Sequence, residues 1–369
     1  MTTVALLVLC SRLAASAPST TSAEALVAPA ASATISVAPA TLAPTFAASS
    51  TDIVFPPPPD PPRIRYLQRL ATPQDLGEDP QSTLRKIWNY LLGRKPPRGF
   101  ALARPYGVAV DDKRVYVADT DGTAVVVFDL ARRQLTRFGG TREGRLLAPI
   151  GVAVTEGGTV YVTDSSQDVI KAFGPDGTFL AAYHILSGLK RPTGIAYDRV
   201  RRRLIVADTG NSRVLVCDPA GKLLREIGGR GTDPGLMSVP VNVAVDGAGR
   251  IFVVDPILCR VQRFSAEGVF EAAFGERGNM AGQFARPRGI AIDSEGHLHV
   301  TDALFNAVQV FDQDGRILMF YGGGGDAPAT FDIPGGVAID AQDRVFVVDT
   351  MNRRVQVFQY LVAPVDGGH

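Results

Sequence analysis

The fold is decided by a stretch that first occurs at residues 104–129 and reads RPYGVAVDDKRVYVADTDGTAVVVFD. Near-copies begin at Pro149, Pro192, Pro240, Pro287 and Pro334. An aspartate ends the second apolar segment of each copy, at intervals of 44 to 47 residues: Asp119, Asp164, Asp208, Asp255, Asp302 and Asp349. A period in the forties built from short β segments is typical of a β-propeller. The six copies therefore predict an all-β chain that forms a six-bladed β-propeller with four-stranded blades.

The last repeat is shorter than the others. Each of the other repeats divides into four strand-sized pieces separated by turn residues, whereas the sixth ends after RVQVFQYL at 354–361. The segment RIRYLQRLAT at 63–72 has the pattern of the other fourth strands. We expect this N-terminal strand to complete the last blade and to close the ring, which removes an exposed sheet edge. The propeller is thus predicted over 63–361, with blades from about residue 104.

The residues before the propeller have a different composition. Residues 3–10 read TVALLVLC, an apolar run that is too short to span a bilayer. We interpret residues 1–17 as an export signal or a lipoprotein anchor, and the Ala/Ser/Thr/Pro-rich residues 18–62 as a disordered linker. This pattern favours an exported bacterial protein in the periplasm or on the cell surface, and a cytoplasmic location is the alternative. Residues 362–369 form a short tail.

One amphipathic helix is predicted between the closing strand and the first blade, over about residues 80–92. Asp79 can cap it, and Pro80 suits the first helical position. Its apolar stripe consists of Leu84, Ile87, Trp88 and Leu91. We expect the stripe to pack on the propeller. The alternative is that it docks a partner or a membrane surface, or covers part of the propeller as a lid.

The repeats resemble NHL repeats. Their phrases are Pro-x-Gly before a small apolar strand and Asp-Thr-x-Asn-x-Arg-Val in the turn after the aspartate, and both are clearest in 192–228 and 334–358. The resemblance covers about residues 104–361. It implies a six-bladed propeller that serves as a platform for macromolecules and that is an enzyme in some relatives.

Few residues point to catalysis. Six equivalent aspartates cannot form one active site, and an aspartate at this turn is expected to accept backbone N–H bonds. His297 and His299 would share one face of a strand, but a closed zinc site needs more ligands. Among the residues at the starts of the inner strands, only Asn242 is polar. We therefore expect no catalytic residue, no metal and no cofactor; a lyase or hydrolase site at the channel mouth is the alternative.

Charge is distributed unevenly, although the formal net charge is only +1. In a propeller, the segments between blades and the turns between second and third strands emerge on one face, which we call the connection face. The inter-blade segments 93–105, 139–149, 184–192, 228–240, 275–288 and 322–334 carry a net charge of +7. The predicted partner-binding residues on this face are Arg98, Arg104, Arg145, Arg191, Arg213, Arg230, Arg260, Arg277, Arg288 and Arg354.

These features favour a monomeric, non-catalytic scaffold that binds a macromolecule through the connection face. A protein or an anionic glycan is the favoured partner, because arginine suits the bidentate recognition of carboxylate and other oxyanions. An RNA-binding platform is a further alternative. Nucleic acid would also require aromatic side chains on this face for stacking.

Overall fold

The computed structural model of the chain describes residues 52–77, 101–185 and 187–362. Several predicted features lie outside these ranges: the segment 1–17, the linker up to residue 51, the helix at 80–92 with Leu84, Ile87, Trp88 and Leu91, Arg98, and the tail from residue 363. Within them, regular structure is almost entirely β-strand, with two short 3-10 helices at Pro73–Leu76 and Thr209–Asn211. No helix in the described part of the chain is long and apolar enough to cross a membrane.

The strands form six antiparallel sheets, which we call blades 1 to 6 in chain order. Before blade 1 come β1 (Val54–Phe55) and β2 (Ile64–Leu70). Blades 1 to 3 contain β3 (Pro105–Val110), β4 (Arg114–Asp119), β5 (Ala124–Asp129), β6 (Gln134–Phe138), β7 (Pro149–Val154), β8 (Val160–Asp164), β9 (Val169–Phe173), β10 (Phe179–Tyr183), β11 (Pro192–Asp198), β12 (Arg203–Asp208), β13 (Arg213–Cys217) and β14 (Leu223–Gly228). Blades 4 to 6 contain β15 (Asn242–Val245), β16 (Ile251–Asp255), β17 (Arg260–Phe264), β18 (Phe270–Phe274), β19 (Pro287–Ile292), β20 (Leu298–Asp302), β21 (Ala307–Phe311), β22 (Ile317–Gly322), β23 (Pro334–Ile339), β24 (Arg344–Asp349) and β25 (Arg354–Tyr360).

The first strand of each blade belongs to an inner ring. β3, β7, β11, β15, β19 and β23 contact one another in this cyclic order, and β23 returns to β3. This crowding explains the glycine of the repeated Pro-x-Gly phrase. A Cβ on Gly107 would lie 2.2 Å from the carbonyl oxygen of Ile150 in the next blade. The predicted six-bladed propeller is confirmed, and a channel of about 220 Å³ runs along its axis.

The core consists of apolar layers between neighbouring blades. A large apolar side chain, nine residues after each repeated aspartate, is at most 1% exposed in every blade: Phe128, Phe173, Cys217, Phe264, Phe311 and Phe358. Cys217 packs against Leu204 and Leu215. Burial raises the pKa of its thiol to about 12, so this cysteine behaves as a protonated core side chain.

The ring is closed by the predicted N-terminal strand. β2 pairs antiparallel with β25, with Ile64 opposite Tyr360 and Leu70 opposite Val355. The register shifts between Tyr66 and Gln68. Because a bulge changes the face to which later residues point, Ile64 packs into the layer between blades 5 and 6, whereas Leu70 packs into the layer between blades 6 and 1. The closing strand therefore joins blade 6 to both of its neighbours.

The end of the predicted linker belongs to the fold, which corrects its boundary at residue 62. β1 pairs with the outer edge of β2, with Val54 opposite Arg65 and Phe55 opposite Ile64. Phe55 is only 5% exposed, and its ring lies 6.1 Å from the ring of Tyr321 in blade 5. A proline-rich composition suggested a linker, but two residues of strand and one buried aromatic side chain attach this segment to the propeller.

Candidate functional site

The repeated aspartates organise the connection face from beneath. All six are at most 3% exposed. Each accepts at least one backbone N–H bond from the segment that precedes its own blade, at distances of 2.6–3.2 Å. Several also accept N–H bonds from the turn that follows, as Asp164 does from Ser166 and Gln167. Their role is to hold the inter-blade segments in place.

Three of the predicted partner-binding arginines serve the same purpose. Arg354 is buried, with its Nε 2.7 Å from Asp349 Oδ2 and its other nitrogens bonded to carbonyl oxygens of the preceding segment. Arg213 binds Asp208 at 2.9 Å and the carbonyl oxygen of Gly188 at 2.8 Å. Arg260 donates to the carbonyl oxygens of Asp233 and Leu236. These guanidinium groups are engaged within the fold, where they hold the inter-blade segments in place.

This arrangement also changes the expected electrostatics of the connection face. The sequence-based sum counted the charges of the inter-blade segments but not the six aspartates beneath them. Two of these aspartates are offset by Arg213 and Arg354. The face therefore presents exposed cations above buried anions, and its net charge is smaller than the segments alone imply.

The remaining predicted cations are spread around the ring. Arg104, Arg145, Arg191, Arg230 and Arg277 are exposed, each in the segment before a different blade. Arg104 lies 3.8 Å from the exposed Asp121, and Arg277 donates to the carbonyl oxygen of Ile257 at 3.1 Å. The segment before blade 6 carries Asp326 and Asp332 instead. The structure therefore brings these five arginines to one face but not into one cluster.

Arg288 occupies a different position, at the mouth of the central channel. It is half-buried at the start of β19, and its guanidinium carbon lies 5.5 Å from the centre of the Tyr106 ring in blade 1. Blade 6 lies between these two blades and has glycine at the corresponding place. A Cβ on Gly335 would lie 2.8 Å from the carbonyl oxygen of Tyr106. The channel below is lined mostly by Gly, Ala, Val and Ile residues, and the side-chain oxygen of Asn242 accepts a bond from the adjacent Val243 N–H at 2.8 Å.

An exposed apolar arc, which the sequence analysis missed, crosses the connection face over three consecutive blades. It is formed by Ile257, Leu304 and Met351, which are 54%, 62% and 54% exposed. Each lies two residues after the repeated aspartate of blades 4, 5 and 6. The same position in blades 1 to 3 holds the non-apolar residues Asp121, Ser166 and Gly210. Aligning the repeats at this position would have revealed the arc.

A neighbouring apolar cleft extends the arc in blade 5. Met280, which is 67% exposed, lines a cleft of about 240 Å³ together with Leu304, Phe305 and Phe320. Contiguous exposed apolar side chains on a folded surface commonly mark a protein interface.

The two histidines lie at the opposite end of blade 5, around one buried carboxylate. His299 is fully buried, with Nε2 3.1 Å from Asp293 Oδ2. Nδ1 of His297 lies 3.2 Å from the same oxygen and 3.2 Å from the Tyr360 hydroxyl. Arginines bind the corresponding aspartates of blades 4 and 6, so His297 takes the place of an ion-pairing arginine. In the described part of the chain, no group of three or more His, Cys, Asp or Glu residues is arranged to hold a metal.

Comparison with known proteins identifies the repeats. The NHL repeat family model matches residues 189–217 and 331–358. Protein brain tumor of Drosophila melanogaster is 33% identical over 129 residues, which are 34% of this chain and 12% of that protein. The chain thus spans only a small part of this relative's length.

Solved propellers share the architecture at low sequence identity. A virginiamycin B lyase from Staphylococcus aureus has a TM-score of 0.50 and 16% identity, over 70% of this chain and 95% of the lyase. An auxiliary nutrient binding protein from Bacteroides thetaiotaomicron has a TM-score of 0.54 and 13% identity, over 71% of this chain and 70% of that chain. These likenesses concern the fold alone. Six four-stranded blades and the matches to the repeat model together identify the chain as a six-bladed β-propeller that carries NHL repeats.

Proposed function

We propose that the chain is a non-catalytic binding platform that docks a protein through blades 4 to 6 of its connection face. The observation that carries this proposal is the apolar arc of Ile257, Leu304 and Met351, extended by Met280. Side chains of this size are normally withdrawn from water, and here four of them project from adjacent loops. Burying them against a partner would supply the hydrophobic centre that stable protein interfaces contain.

The arginines around the arc favour a partner with acidic groups at the edge of its apolar surface. Arg277 lies against Ile257, and the exposed Arg353 follows Met351 by two residues. Arginine at the edge of an interface contributes to orientation and to the rate of association. This charge pattern refines the partner from a macromolecule in general to a protein with an acidic rim.

Two aromatic side chains of the inter-blade segments favour a protein partner over single-stranded RNA. RNA platforms stack bases on exposed rings. Phe284 and Phe331, which the connection segments contribute, are 0% exposed and pack in the core. The scarcity of polar side chains along the channel and the locally bonded Asn242 likewise favour a platform over a lyase or hydrolase.

The test compares two sets of three charge insertions in the full chain. Ile257→Asp, Leu304→Asp and Met351→Asp alter the arc. Leu180→Asp, Leu224→Asp and Val269→Asp alter side chains of similar exposure (55%, 53% and 65%) outside the connection face. Proteins cross-linked to the wild-type chain in extracts of its native host are identified, purified and titrated against all three forms.

We expect the arc variant to weaken binding of the true partner by at least about thirtyfold, as for hot-spot residues. The control variant should bind as the wild type does. Equal binding by the arc variant and the wild type would refute the proposed docking surface. If the bound species is RNA and its binding is lost only when the salt concentration is raised, the RNA-binding alternative is favoured.

A further inference from the structure

Arg288 is a half-buried arginine whose guanidinium has neither a carboxylate partner nor a hydrogen bond within the described part of the chain. Several guanidinium groups of comparable burial approach an acidic side chain closely: Arg203 to Asp198 at 2.9 Å, Arg250 to Asp246 at 2.7 Å and Arg344 to Asp340 at 2.6 Å. The half-buried Arg260 donates instead to backbone carbonyl oxygens. No carboxylate of the described chain lies within ion-pair distance of Arg288, whose recorded contact is the Tyr106 ring. A partly desolvated charge without a counter-ion is unfavourable.

The surroundings of Arg288 accentuate this imbalance. The neighbouring ionisable groups that act on it include Arg286 and Arg104, which have the same sign. Asp302, the nearby acid, is already bonded to the backbone N–H groups of Ala285 and Arg286. Burial lowers the pKa of Arg288, and the two arginines act in the same direction. The half-buried Arg288 therefore lies in the field of two further cations.

The geometry suits a planar anion. The Tyr106 ring makes a cation–π contact with the guanidinium, whose carbon lies 5.5 Å from the ring centre, and no acceptor in the described part of the chain engages its N–H groups. Arginine held in this way matches a carboxylate with two parallel hydrogen bonds. Blade 6 contributes no side chain at the corresponding place, because a Cβ on Gly335 would lie 2.8 Å from the carbonyl oxygen of Tyr106.

We propose that Arg288, supported by Arg286 and Arg104, forms a carboxylate-binding site at the channel mouth, which receives an acidic side chain of the docked partner. A single carboxylate brings one negative charge, which one half-buried guanidinium can balance. Only the source of the carboxylate rests on the platform function proposed above; the site itself does not. The apolar arc would bind the partner, and the ion pair with Arg288 would fix the orientation of the partner on the propeller.

The test uses the purified full chain without any partner. Glutarate is titrated at constant ionic strength and followed by calorimetry and by the NMR signal of the Arg288 side-chain Nε–H. Phosphate is titrated in parallel, and the variants are Arg288→Gln, Arg288→Lys and, as a matched exposed cation outside the predicted binding residues, Arg225→Gln. Circular dichroism and the melting temperature establish that each variant is folded.

We expect saturable glutarate binding that weakens by at least about tenfold in Arg288→Gln and is unchanged in Arg225→Gln. Arg288→Lys should bind glutarate more weakly than the wild type, since it retains the charge without the planar fork. Phosphate should bind more weakly than glutarate. Tighter binding of phosphate, no saturable binding of glutarate, or an unchanged affinity in Arg288→Gln would each overturn the proposal.

These outcomes are separable from those of the platform test. If glutarate binds but the arc variant binds the partner as the wild type does, the carboxylate site is supported and the docking surface is refuted. If the arc variant weakens partner binding but glutarate does not bind, the docking surface is supported and the carboxylate site is refuted.

Discussion

Truncation of one residue in the closing strand should weaken the whole propeller. Ile64 is 0% exposed, pairs with both Phe55 and Tyr360, and packs with Phe331 and Phe358 between blades 5 and 6. Ile64→Ala would remove three carbon atoms from a layer fixed by two strands and a ring of blades, so the cavity cannot readily collapse. We expect a loss of about 3–4 kcal/mol in the free energy of unfolding, within the range for such core truncations.

The assay is urea unfolding followed by far-ultraviolet circular dichroism and by tyrosine fluorescence. Leu67→Ala is the matched control, because Leu67 lies in the same strand but is 44% exposed, and it should cost less than about 1 kcal/mol. If closure is cooperative, Ile64→Ala shifts a single transition with an unchanged denaturant slope. Deletion of residues 63–72 should have a larger effect of the same kind.

Two results would refute this reasoning. In the first, Ile64→Ala and Leu67→Ala shift the urea midpoint equally, so that burial of the closing strand is unimportant. In the second, a small early transition is followed by a main transition at the wild-type midpoint, so that blade 6 unfolds alone.

Three further predictions concern the repeated aspartates, the histidine cluster and the inner ring. Asp164→Ala leaves several backbone N–H groups without their acceptor, so the free energy of unfolding in urea should fall by at least about 3 kcal/mol. A fall below about 1 kcal/mol would contradict the role of this aspartate in holding the inter-blade segment in place. Burial raises the pKa of Asp293, but the hydrogen bond and charge of His299 outweigh it and bring that pKa below its ordinary value. The stability contributed by ionised Asp293 is therefore present above about pH 4 and is lost as the pH falls further. Asp293→Asn should flatten the dependence of the melting temperature on pH below about 4. Parallel curves for the variant and the wild type would count against this prediction. Gly107→Ala should lower the melting temperature by more than about 10 °C or abolish folding, because its Cβ would meet the Ile150 carbonyl oxygen at 2.2 Å.

Much of the fold could be predicted because it is repeated. Six copies of one pattern define the blades, and the missing fourth strand of the last copy points to the segment at 63–72. β1 could not be found in this way. Two residues have no periodicity, and the prolines beside Phe55 are typical of a linker.

The candidate site was less predictable because it depends on contacts between blades. Counting loop charges could not distinguish Arg354, which binds a buried aspartate, from the exposed Arg191. The contact of Arg288 with the Tyr106 ring joins blades 5 and 1 across a glycine of blade 6, and no pattern within one repeat encodes it. The apolar arc is different, since it was readable from the aligned repeats.

The closing strand also determines how the propeller responds to tension. The chain enters β2 at Ile64 and leaves β25 at Tyr360, and these two residues face each other in the antiparallel pair. A pull between the two ends of the propeller therefore loads the hydrogen bonds one pair at a time, as in opening a zipper, rather than all together in shear. β1 is paired with only two residues and would be peeled first. Under load, the ring should thus open at blade 6 while blades 1 to 5 keep their strands paired.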